Sequence, residues 1–466
     1  MFVTANVEPV PINPRRLEPL IGVERVEALL EAASALRTLI GGRRILNVNS
    51  TANGGGVAEM LATLLGYGRG LGLESDWLVI GGDHEFFVVT KRIHNGLYGG
   101  PGDGGDLGER ERAIYERTLA ANLAAVLAEV ETGDIVVVHD PQPAGLIAPL
   151  VARGARVVWR CHVGFDGENE WTERAWGFLR PYLEAANAHV FSRESFAPSW
   201  IDRARLRAIP PSIDPFTPKN RTLFRHEVQA LLGTAGLITG NGPESDTRVR
   251  HRADVVGDGP PPDWAVPLVV QVSRWDRMKD MPGVLEGFAH HVHSADAHLV
   301  LAGPAVQGVS DDPEGEAVWE ETVAAWRSLS RSDRARVHLA CVPMDDPVEN
   351  AMVINALQRH ATVVVQKSLA EGFGLTVAEA MWKTRPVVAS AVGGIVDQVI
   401  HDETGLLVED PHDLESFGAA VDRLLRDPAN AERMGRNGRR HIEHRFLADR
   451  HLLQYAELLT ELLGET

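Results

Sequence analysis

Short apolar runs recur along the chain and alternate with segments of helical period. ILNVNS (45–50), SDWLVIGG (75–82), DIVVVHD (134–140), RVVWRCHV (156–163) and AHVFS (188–192) are compact, valine-rich and bounded by polar residues. Such runs predict strands, the most apolar of them buried on both faces. Helical segments fall between them, at 23–40 and near 57–68, 108–130, 143–152 and 172–186. A second series follows with PLVVQVS (267–273), HLVLAG (298–303), RVHLACV (336–342), TVVVQKS (362–368) and PVVAS (386–390), and the segment 411–465 is helical. Repeated strand–helix units predict an α/β protein of two Rossmann-like, doubly wound domains. Each would bind its ligand outside the carboxyl ends of its strands. The two facing across a cleft would enclose a ligand.

The proline-rich, polar run IPPSIDPFTPKN near residue 210 reads as a linker. It separates an N-terminal domain (1–210) from a C-terminal domain (211–444), the helix at about 445–466 packing back onto the first. Residues 1–20 carry four prolines and read as an extended arm. Residues 235–263 hold no convincing element and read as an exposed, flexible insertion.

Residues 361–394 give the sharpest local pattern. A buried strand ends near Val365, a turn runs through Ser368–Gly374 with glycines at 372 and 374, and Leu375–Trp382 has helical period. A helix N-terminus after a glycine turn offers unpaired amides and a dipole that favours an anion. Glu371 lies in the turn and Glu379 eight residues on, in the helix. Carboxylates beside an anion site call for hydroxyls or cations, which suits a phosphate flanked by polyols, the shape of a sugar nucleotide. The same spacing fits a plain strand–helix corner with two solvated glutamates. A second glycine loop, TANGGG (51–56), also joins a strand to a helix, but it is neither GxGxxG nor a P-loop.

Composition narrows the partners. The chain has 466 residues, 44% hydrophobic and 24% charged, with a formal charge of −18. That charge argues against nucleic acid and against anionic membrane as partners. An anionic substrate needs a local basic pocket, and Arg274 and Lys279, just past the 267–273 strand, supply one. The two cysteines, Cys161 and Cys341, are far apart, which points to a reducing compartment. With no apolar signal core and no run of about 20 apolar residues, a cytoplasmic location is expected.

SRWDRMKD, EGFGLTVAE and ASAVGGIVD together resemble the retaining glycosyltransferases of the two-domain GT-B type, family 4, whose hallmark E-x7-E is Glu371 and Glu379 here. VNSTANGGGVAEML, EFFVVTKRIHN, VVVHDPQPAGL, WRCHV and PPSIDP narrow the resemblance to the trehalose glycosyltransferring synthases. The resemblance implies a hexosyltransferase that joins glucose from ADP-, UDP- or GDP-glucose to free glucose, giving α,α-trehalose, a reaction that can run in reverse. The alternatives are a retaining trehalose phosphorylase or another family 4 sugar-nucleotide glycosyltransferase. It also allows a homodimer.

By the same resemblance, Gly55, Gly56 and the Val57 amide approach the diphosphate, and Arg274 and Lys279 stabilise the charge that develops on it. Glu371 holds donor-sugar hydroxyls, Gly372, Phe373, Gly374 and Leu375 surround sugar and phosphate, and Glu379 meets the ribose. His162 lies near the transferred glucose. Glu85, Lys91, Asn95, Asp140 and Gln142 are the acceptor-side candidates. The implied route is front-face, through an oxocarbenium-like transition state, with the departing diphosphate helping to deprotonate the acceptor. No DxD pair is placed to hold a metal–diphosphate, so no metal ligand and no tightly bound cofactor is expected. Loose stimulation by Mg²⁺ stays open. Lys279-Asp280 stands where relatives carry lysine–glycine, and Asp397 where many carry glutamate.

Overall fold

The computed structural model describes residues 5–52, 56–239, 249–294, 296–305 and 314–464. Contacts divide the chain into two units. One is Met1–Ser212 with Glu371–Phe373 and Phe446–Thr466; the other is Ile213–Ala370 with Gly374–Arg445.

The first unit is built on a seven-stranded sheet of order β1-β3-β2-β4-β5-β6-β7. Its strands are β1 (Ala5–Val7), β2 (Ile45–Asn49), β3 (Ser75–Val79), β4 (Ile135–His139), β5 (Arg156–Arg160), β6 (Ala188–Phe191) and β7 (Leu206–Ala208). All pair in parallel except β1, which lies antiparallel on β3. Alternate residues serve opposite faces, and both faces are apolar. Along β4, Val136 and Val138 pack with Leu119, Phe178 and Leu179, whereas Ile135 and Val137 pack with Leu36 and Ile40. Helix α1 (Val23–Ile40) buries Val26, Leu29, Ala33, Leu36 and Ile40, a three-and-four spacing that makes one stripe. It ends at Gly41, whose φ of 58° needs glycine's freedom. Helices α2 (Gly56–Gly70), α3 (His84–Leu97) and α4 (Glu109–Ala128) follow; α3 is capped by Asp83, which accepts from the Phe86 N–H.

The second unit holds another seven-stranded sheet, of order β14-β13-β12-β9-β10-β11-β8. The strands are β8 (Asp254–Val256), β9 (Leu268–Val272), β10 (His298–Pro304), β11 (Val337–Val342), β12 (Val363–Gln366), β13 (Val387–Ser390) and β14 (Leu406–Val408). Only β8 is antiparallel. Helix α5 (Met281–His291) follows β9, and α6 (Leu375–Trp382) follows β12 over the span its period predicts. The chain then returns to the first unit as α7 (Ala448–Gly464), which packs along α1 and adds Ala456, Leu458, Leu459, Leu462 and Leu463 to the core beneath Leu36 and Ile40.

Two expectations need correcting. The arm at 1–20 contains β1 and helical turns at Pro14–Leu17 and Glu18–Ile21. The segment at 235–263 is not without structure: β8 covers the free edge of β11, and Leu237, Ile238 and Val249 are buried. Both strands are three residues long, too short to show a period. Residues 240–248 lie outside the described part.

Candidate active site

In the second unit, the loops after β9 and β12 are bound to each other. These strands are neighbours in the sheet. Gln271, fully buried on β9, donates from Nε2 to the Lys279 carbonyl at 2.8 Å and accepts from the Lys367 N–H at 3.0 Å. The Leu369 N–H donates to the Met278 carbonyl at 2.8 Å. A buried amide that meets both loops holds them in one register, since leaving any of those groups unpaired costs about 1–3 kcal/mol.

The basic pair sits in the first of these loops. Asp276 accepts from the Met278 N–H at 2.8 Å and so shapes the turn Arg277–Lys279. Arg274 is half-buried, with Asp276 Oδ2 at 3.8 Å, whereas Arg277 is held by Glu321 in a two-pronged pair at 2.8 and 2.7 Å. Asp280 adopts φ 46°, the left-handed conformation that glycine takes without strain. Its side chain repays this by accepting from the Gly283 N–H at 3.1 Å, at the start of α5, and by pairing with buried Lys367. The lysine–glycine departure is therefore compensated by a charge on the neighbouring loop. Gly374, φ 86°, opens α6, and Glu379 is buried on that helix 3.5 Å from Lys219 Nζ. Lys219, from the linker, was not singled out in the sequence; a lone lysine among prolines gives no signal.

In the first unit, polar residues gather in the middle of β2 and at the carboxyl ends of β4 and β5. Asn47 Oδ1 lies 2.9 Å from His139 Nε2, and His139 Nδ1 lies 3.2 Å from His162 Nε2. The two imidazoles meet edge to edge, their centres 5.5 Å apart and their planes 10° from parallel. Asp140 has φ 64° and accepts from the His162 N–H at 2.7 Å, while its own carbonyl accepts from Trp159 Nε1. Arg160 is fully buried and its Nη2 reaches Ser192 Oγ at 3.4 Å. Burial, and then the Arg160 charge, pull His139 down to about 3; burial also lowers His162 and His451 well below the usual imidazole range. Burial raises the Asp140 carboxyl to about 7, against the opposing His162 N–H and Arg160 charge. A cavity of about 90 Å³ adjoins this cluster; Asn47, His139, His162, His451 and Tyr455 supply polar lining to an otherwise leucine-rich wall.

The remaining sequence candidates fall as follows. Gly56 and Val57 begin α2, and Gly55 lies outside the described residues. Glu371, Gly372 and Phe373 count with the first unit. There Glu371 is buried, and a Cβ on residue 372 would come within 2.2 Å of the His162 carbonyl oxygen, so only glycine fits. Phe373 packs on Phe446 at 5.5 Å. Leu375 is the first residue of α6. Glu85 is exposed in the first turn of α3, 3.3 Å from Arg117; Lys91 and Gln142 are half-buried and Asn95 is buried. Asn47, His139 and His451 escaped the sequence reading. A clue existed in Asn47, since an amide inside a strand buried on both faces must find a partner. Among the described residues, no group of three or more His, Cys, Asp or Glu side chains could hold a metal, and no helix is long and apolar enough to cross a membrane.

Comparison with known proteins bears on the family and the fold. Residues 47–198 match the family model "Trehalose synthase, N-terminal domain", and residues 264–441 match "Glycosyl transferases group 1". The trehalose synthase of Rubrobacter xylanophilus is 36% identical over 94% of this chain and 94% of its own. That of Pyrococcus horikoshii is 33% identical over 97% of each. A trehalose phosphorylase of Pleurotus pulmonarius is 25% identical over 84% of this chain but 54% of its own. A solved structure described as trehalose-6-phosphate from E. coli bound with UDP-2-fluoro glucose superposes with a TM-score of 0.66 at 14% identity, covering 91% of this chain and 99% of that one. Two sheets of this topology make the GT-B fold, and the enzyme is a trehalose-related glycosyltransferase. Matched in both halves and across almost its full length, the chain belongs to the trehalose synthase family.

Proposed function

We propose that the protein is a retaining glucosyltransferase that forms α,α-trehalose from a nucleoside-diphosphate-glucose and free glucose. The observation that carries this reading is the bonding of the β9 and β12 loops. It sets Arg274, Lys279 and the start of α6 along one carboxyl edge of one sheet, where an open α/β sheet takes its ligand.

In this reading Arg274 and Lys279 bear on the diphosphate as its charge grows, and the Gly374–Leu375 amides at the start of α6 add their dipole. Glu379, with Lys219 beside it, takes the ribose hydroxyls. Glu371 orients donor-sugar hydroxyls without bonding covalently, and His162 meets the glucose that is transferred. The C1–oxygen bond to the diphosphate breaks as the acceptor oxygen arrives on the same face, and the acceptor proton passes to the departing diphosphate oxygen. Asp140 and the other acceptor-side candidates then serve the incoming glucose. The diphosphate charge is met by basic side chains, so Mg²⁺ accompanies the nucleotide at most loosely.

The test is a donor panel. ADP-, UDP- and GDP-glucose are each incubated with glucose, and nucleoside diphosphate and trehalose are quantified. Equimolar release of both with at least one donor is expected. Neither product with any donor rejects the reading, and phosphate-dependent release of glucose 1-phosphate from trehalose assigns the chain to the phosphorylases instead.

A further inference from the structure

The hydrogen bonds through His139 fix more than position. A neutral imidazole carries one N–H and one bare nitrogen, and the partners of the first decide the second. Asn47 Oδ1 only accepts, so His139 Nε2 at 2.9 Å must carry the proton. His139 stays neutral near pH 7, because burial holds it down to about 3 and the Arg160 charge adds to that. Its Nδ1 is then bare, and the His162 Nε2 facing it at 3.2 Å must donate. His162 is neutral for the same reasons, with His139 and His451 as its other ring neighbours. The rings lie nearly in one plane, so the hydrogen bond between them is well aligned.

We propose that Asn47 and His139 are positioning residues: they hold His162 as its Nε2–H tautomer, so that the ring meets a sugar hydroxyl only as an acceptor, through Nδ1. This deepens the proposed function, on which it rests for the presence of a sugar at His162. Selectivity follows. The hydroxyl opposite His162 must donate, and a donor glucose with fluorine in its place, which accepts but cannot donate, is disfavoured. Asn47 Nδ2 and His451 Nε2, both buried without a protein partner, fall to side chains that line a cavity with room for about three waters. With Nδ2 turned away from His139, the Oδ1 side of the amide is the one that meets its ring.

The test reads the ring directly. In ¹⁵N-histidine-labelled, ligand-free protein, the His162 signals, assigned by their loss in His162→Gln, should show protonated Nε2 and bare Nδ1 at pH 7. Asn47→Asp should reverse the chain. Its carboxylate favours a second proton on His139, whose Nδ1–H then donates, leaving His162 with bare Nε2 and protonated Nδ1. The same variant should lose about tenfold in kcat, the worth of one misdirected hydrogen bond, with nucleotide affinity unchanged. Should Asn47→Asp not fold, His139→Phe keeps the ring volume and removes the acceptor, and the His162 signals should then average between tautomers. Protonated Nδ1 in the unmodified protein, or His162 signals indifferent to both substitutions, overturns the proposal. The spectrum needs no substrate, so failure of the trehalose assay is a separate outcome.

Discussion

Among the described residues, two hydrogen-bonded histidine pairs have nearly the same shape. His139 and His162 lie 3.2 Å apart in the first unit, and His298 and His338 lie 2.9 Å apart in the second, with rings 10° and 9° from parallel. Burial lowers all four. The difference is the edge of the sheet. His139 closes β4 and His162 follows β5, at carboxyl ends, whereas His298 opens β10 and His338 is the second residue of β11, at amino ends. Ligands of open α/β sheets bind at carboxyl ends. A local motif thus takes its meaning from its place in the topology: one pair lies at the end of the strands where such sheets take ligands, and the other joins two strands at the opposite end.

The largest effect should come from the carboxyl edge of the second unit. Lys279→Ala should lower kcat about 10²–10³-fold, the usual loss when a group that stabilises developing charge is removed. Initial rates at saturating donor and acceptor measure it. Next, His162→Ala should lower kcat about 10²-fold, while His338→Leu should stay within about twofold of the unmodified rate. Equal losses would erase the distinction between the pairs.

Stability changes should be smaller and should ignore the edge. Lys367→Met strands Asp280 without its cation and should cost about 3 kcal/mol in urea unfolding, as breaking a buried pair does. Adding Asp280→Gly should recover most of it, because glycine suits the left-handed backbone there. His338→Leu should cost about 1–2 kcal/mol for the hydrogen bond lost by His298. The smallest effect concerns pH. Burial, with His298 beside it, holds His338 down to about 4, below its unfolded value near 6.5. Between those values the unfolded chain binds the proton first, so this contribution is complete above pH 6.5 and fades as pH falls toward 4. Urea midpoints at pH 7 and pH 5 should therefore converge in His338→Leu, and by a similar amount in His139→Phe. A flattening seen with only one variant would show that the pairs differ in burial as well as in edge.

The sequence made the central strands and the loop candidates legible because runs such as IVVVH and TVVVQ have one reading when both faces are buried. It did not reveal β1 or β8, whose three residues are edge pairings decided by a neighbour. At the carboxyl ends, Glu371, Glu379, Arg274 and Lys279 stood out through their spacing along the chain. Asn47, His139 and His451 did not, because 92 residues separate the first two and α7 carries the third. Asp280 was visible as a departure from lysine–glycine, but its compensation by Lys367 spans 87 residues and follows only from the pairing of β9 with β12.

Helix α7 has a consequence for biosynthesis. It delivers Leu458, Leu459, Leu462 and Leu463 to the core under β4, and His451, whose Nδ1 meets Ser212 Oγ at 2.9 Å. The sheet that leaves the ribosome first is therefore the one finished last. At about 5–20 residues per second, the interval between β7 and α7 is on the order of 10–50 s. Through that time Leu36, Ile40 and Val137 lack the cover that α7 gives them, a window in which a chaperone or a wrongly paired neighbour can compete for that face.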